Sequence, residues 1–129
     1  MAANGEPRVV IEGLEEIIER DLEKNKVLLE QTQKELLAYK GARAHEIQRK
    51  KYYASLIGGG KFNDESLRVS MDDIAINIRH LSDKIKLAQE KIEHHTLIVD
   101  TLTEQRKAQY EALSALSLYR KDQLDAANS

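Results

Sequence analysis

From Met71 to Leu116, apolar residues recur at alternating steps of three and four. The series reads Met71, Ile74, Ile78, Leu81, Ile85, Ala88, Ile92, His95, Val99, Leu102, Arg106, Gln109, Leu113, Leu116. Arg106 and Gln109 interrupt it, and Leu113 and Leu116 resume it. This is a seam of period 3.5 held for about six heptads. No proline or glycine lies inside it to break a helix. A stripe this narrow cannot be buried by its own helix, so the helix needs a partner.

A second, weaker seam supplies one. It runs Ile18, Leu22, Asn25, Leu29, Thr32, Leu36, Tyr39, Arg43, Glu46, Lys50, Tyr53, Ile57. It is apolar to Tyr39, polar from Arg43 to Lys50, then apolar again. Gly41 sits in the weak part. Between the seams lies the one strong break, Gly58-Gly59-Gly60-Lys61-Phe62-Asn63-Asp64. A left-handed glycine suits the end of a helix. Asn63 or Asp64 can start the next, and Ser70-Met71-Asp72-Asp73 offers a later start.

Pro7, the only proline, suits a first helical position. The pattern predicts a tail over 1–6, a helix over 7–57, a turn over 58–63, a helix over 64–123 and a frayed end over 124–129. A short turn between long helices implies an antiparallel hairpin. With the turn centred near Phe62, residue i meets roughly residue 124 − i. Glu15, Glu16 and Glu19 then face Arg106 and Lys107, and Arg49-Lys50-Lys51 face Asp72 and Asp73. Such exposed pairs are worth about 0.2–1 kcal/mol each and mainly set register.

Composition agrees with long helix. Charged residues make 33% and aromatics only 5%, with no Trp and one Phe. A core must then come from Leu, Ile, Val and Ala rather than aromatic bulk. Disordered chains lack sustained apolar periodicity. There is no cysteine, hence no disulfide and no thiolate metal site. The first residues lack the basic and apolar segments of a signal peptide. The longest apolar runs, such as Leu97-Ile98-Val99, fall far short of a membrane span. The expectation is a soluble chain in the cytoplasm, or in a particle assembled inside the cell.

Candidate chemistry is sparse. Gly58-Gly59-Gly60-Lys61 has neither the leading glycine nor the following Ser or Thr of a phosphate loop. His45 and His80 meet across the hairpin near Glu46, short of the three or four convergent ligands a metal needs. His95 falls on the seam, as a buried neutral imidazole or a polar register marker. No nucleophile is paired with a base in a recognisable motif. Catalysis, cofactors, metals and a small-molecule substrate are therefore not expected. The segment Lys40 to Lys61 is basic and tyrosine-containing. Arg43, Arg49, Lys50 and Lys51 would be its nucleic-acid contacts.

The fold class expected is all-α: a long two-helix antiparallel coiled-coil hairpin. Its seam comprises Ile18, Leu22, Leu29, Leu36, Tyr39, Tyr53 and Ile57 against Ile74, Ile78, Leu81, Ile85, Ile92, Val99, Leu102, Leu113 and Leu116. Apolar residues off the seam imply packing into a larger bundle, by oligomerisation or on a partner protein. Phe62, Tyr52, Ile76, Leu87 and Ile98 are the candidate docking residues. The function expected is structural, scaffolding or adaptor. A chaperone-like holder of clients and a nucleic-acid-binding accessory are the alternatives.

Overall fold

In a computed structural model of the chain, the described residues are Pro7–Gly58 and Glu65–Asn128, with side chains from Val10 onward in the first. All of them are helical. Helix α1 is Pro7–Gly58 and helix α2 is Glu65–Asn128. The two pack against each other as an all-α helical hairpin.

The chain divides into two compact units, each built from a stretch of both helices. The unit containing residues up to Leu28 and from His94 onward is closed around Ile18 and Leu22, 8% and 2% exposed. Across it, Arg106 Nη1 donates to Glu19 Oε1 at 3.1 Å. His95 Nδ1 lies 3.3 Å from Asn25 Oδ1. The unit Leu29–Glu93 is closed around Thr32, Ile74, Ile85 and Ala88. Here Arg43 Nη1 donates to Ser82 Oγ at 3.4 Å, and Lys84 Nζ stands 5.7 Å from the Tyr39 ring centre. All four pairs match an antiparallel register near 124 − i.

Local chemistry explains the helix ends. Pro7 has the fixed φ and missing N–H that a first helical residue tolerates. Glu65 places an acid in the first turn of α2, where the backbone dipole favours it. Ser70-Asp73 is therefore interior to α2, not its start. Gly58 is the last residue of α1. The tail 1–6, the rest of the turn with Phe62, the start at Asp64, and Ser129 lie outside the described residues. Residues 124–128, where a frayed end is expected, are placed in helix. Helix continues through Leu124-Asp125-Ala126-Ala127 to Asn128, a stretch with no breaker and two alanines. At 64 residues against 52, α2 outruns α1 by 12, and every residue of 117–128 is exposed.

Gly41 lies mid-helix, and a Cβ added there meets nothing within 4 Å. Gly41→Ala is expected to stabilise the fold by about 1 kcal/mol, by removing backbone freedom from the unfolded chain. A thermal melt reads this directly. An unchanged or lower midpoint would mean that this stretch is not ordinary helix.

Candidate functional site

The seam is the largest organised feature. On α2, Ile74, Ile85 and Ala88 are buried. Met71, Ile78, Leu81, Ile92, His95, Val99, Leu102, Arg106, Gln109, Leu113 and Leu116 are half-buried. On α1, Ile18, Leu22 and Thr32 are buried, and Leu29, Leu36, Tyr39, Tyr53 and Ile57 are half-buried. The polar positions Asn25, Arg43 and Glu46 are half-buried too. Lys50 departs from the pattern and is exposed. Its flexible stem carries the ammonium out to water from a core-edge position. Leu28, Leu56 and Leu67, outside the strict seam, are also half-buried. Leu28 and Leu56 sit one residue beside a seam position, and Leu67 lies four residues before Met71, extending the α2 series by one step.

In the unit containing Ile18 and Leu22, helical spacing sets Glu19–Arg106 and Asn25–His95 on opposite sides of the seam. In the Leu29–Glu93 unit, Arg43–Ser82 falls on one side, and Tyr39–Lys84 and a groove holding both His45 and His80 on the other. That groove is about 320 Å³ and is lined also by Ala42, Glu46, Asn77, Leu81 and Lys84. Glu46 Oε1 accepts from Arg49 at 3.0 Å, while its Oε2 is buried without a hydrogen-bond partner. Gln109 Oε1, in the other unit, is buried in the same way. Among the described residues, no three His, Asp or Glu side chains gather as a metal site.

The basic segment is partly turned inward. Arg43 reaches Ser82 across its unit. Arg49 pairs with Glu46 on its own helix and lies 5.9 Å from the Tyr53 ring centre. Tyr53 and then Glu46 hold the Arg49 guanidinium above its usual range, so it stays charged. Lys50 and Lys51 are exposed, as are Asp72 and Asp73. Arg49 thus finds its carboxylate three residues away on its own helix rather than across at Asp72 or Asp73.

Of the docking candidates, Tyr52, Ile76 and Leu87 are 63%, 48% and 52% exposed. Ile98 is half-buried, and Phe62 lies outside the described residues. Further large apolar side chains stand in water: Val10, Leu14, Ile17, Leu37, Leu97, Leu118, Tyr119 and Leu124. Among the described residues, no helix is long and apolar enough to cross a membrane. The arrangement defines an all-α helical hairpin with apolar residues on its outer faces. No protein-family model, curated protein or solved structure matches the chain.

Proposed function

We propose that the chain is a non-enzymatic structural or adaptor coiled coil that works through protein–protein contacts in a larger intracellular assembly. The observation that carries this reading is the apolar surface left over once the seam is closed. Leu37, Leu97 and Leu118 are 70%, 66% and 64% exposed, on helices that already have each other as partners. Apolar surface of this kind is stabilised by a further covering surface. The nucleic-acid alternative is the weaker, because Arg43 reaches Ser82 across its unit and Arg49 is paired with Glu46 on its own helix.

The test is the size of the chain's species in native lysate. Gentle cross-linking followed by sedimentation is expected to place it in a complex larger than one chain. A chain that sediments as a monomer and yields no cross-linked product would overturn the reading. Binding to a random oligonucleotide that vanishes when Lys50 and Lys51 are neutralised would replace it with the nucleic-acid function.

A further inference from the structure

One side of the unit that contains Ile18 and Leu22 differs from the rest of the surface. It is the side marked by the Asn25–His95 contact. Helical spacing puts Val10, Leu14 and Ile17 on it from α1, at steps of four and three. The same spacing puts Ala108, Ala112, Ala115 and Tyr119 on it from α2. All seven are exposed, with Leu14 at 47% and Ile17 at 52%. Between Val10 and Ile18, and between Gln105 and Tyr119, this side holds no charged residue. The whole chain is 33% charged. Within the Leu29–Glu93 unit, the side on which Lys84 stands by Tyr39 is by contrast charged, with Glu35, Arg49, Lys84 and Lys91.

We propose that a second copy of this chain covers that side, giving a four-helix bundle with its two-fold axis along the helices. This rests on the reading that the chain acts through protein contacts, and it names the partner. In such a dimer, α1 of one copy lies against α2 of the other, and all neighbouring helices are antiparallel. The two-fold keeps each residue at its own level, and Glu19–Arg106 fixes which α1 and α2 residues share a level.

Three complementarities follow. Val10, Leu14 and Ile17 meet Ala108, Ala112 and Ala115 of the second copy, so bulky side chains fall opposite small ones and the helices can approach closely. Asp21 interrupts the apolar stripe, but falls beside Gln105 and Thr101 of the second copy, which are both hydrogen-bond donors. At the rim, Arg20 comes level with Glu104 of the second copy, twice per dimer. A two-fold across the helices would instead set α1 against α1 with levels reversed, so that a residue meets its own copy only at the axis and the Arg20–Glu104 pairing is lost.

Size also fits. Extended to half-buried Leu28 and Ile98, the side is about 30 Å long and 20 Å wide. That is roughly 600 Å² per copy and 1,200 Å² in all, at the lower edge of specific interfaces. The dimer should therefore form at micromolar concentration and fall apart on dilution.

The absence of cysteine makes a direct test simple. Leu14→Cys and Ala112→Cys are made as separate chains, so no intrachain disulfide is available. Oxidised together at tens of micromolar, they are expected to give a mixed disulfide dimer in clear excess over either variant alone. Wild-type sedimentation should shift from monomer to dimer across the same concentrations. Ala112→Glu should abolish that shift while leaving helical circular dichroism unchanged. Disulfide formation by Leu14→Cys alone would overturn this arrangement. A pure protein that stays monomeric would overturn the dimer. If the chain is nonetheless large in lysate, a different protein covers this side and the scaffold reading survives. If it is monomeric there too, both readings fall.

Discussion

Ile85→Asp is expected to be the most damaging single substitution, at about 4–6 kcal/mol. Ile85 is 4% exposed in the core of the Leu29–Glu93 unit. Removing its side chain forfeits about 2–3 kcal/mol of apolar burial. The carboxylate put in its place must be desolvated among apolar neighbours, which costs several kcal/mol more, or must take up a proton. Domains are stable by only about 5–15 kcal/mol, so most of the margin goes. The matched control is Gln89→Asp, which introduces the same group one turn along at an exposed position. That variant should lose less than about 1 kcal/mol, mostly helix propensity. Denaturant midpoints measure both. The Ile85→Asp deficit should shrink at low pH, because a neutral carboxyl is cheaper to bury. Equal midpoints for the two variants would show that the core does not run through Ile85.

Leu22→Ala should cost about 2–5 kcal/mol, from lost transfer energy plus the cavity left behind. Leu22 is 2% exposed, and among the described residues only Ile18 joins it as a buried apolar residue in its unit. So few buried side chains leave the loss little to be shared with. The two helices compose each unit from separate stretches, so the damage should be local first. Hydrogen exchange is the appropriate measurement. Amides of 10–28 and 94–116 should lose protection more than those of 32–56 and 67–92. Ile74→Ala, in the other unit and 1% exposed, should give the reverse pattern. Uniform deprotection by both variants would show that the chain opens as one cooperative body.

Much of this molecule is set by local periodicity, which a sequence carries in full. A step of three then four places residues on one helix face whatever surrounds them. Every α2 position from Met71 to Leu116 in that series is buried or half-buried, including His95, Arg106 and Gln109. The register followed from the short turn, since the loop leaves little freedom to slide. Glu19–Arg106 is the pair that argument requires.

Tertiary structure decided what periodicity cannot encode. Long side chains choose among several partners within reach, and only packing ranks them. Arg49 could face Asp72 and Asp73 by register, yet it takes Glu46 one helical turn back. A pair three residues apart on one helix is already held in place by the backbone, so its formation costs less side-chain freedom. Lys50 holds a seam position and still reaches water, because its stem is flexible. The end of α2 is a matter of the same kind, since the pattern alone puts a frayed end over 124–129. With no breaker after Gln123, its persistence to Asn128 depends on helix propensity outlasting the last contact with α1. The division into two units is a property of contacts between distant residues, and no local pattern marks it. The uncharged side of one unit appears only when the steps of both helices are laid onto the observed pairing. Val10, Leu14 and Ile17 are ordinary residues in α1, as Ala108, Ala112 and Ala115 are in α2. Their antiparallel alignment makes them one surface.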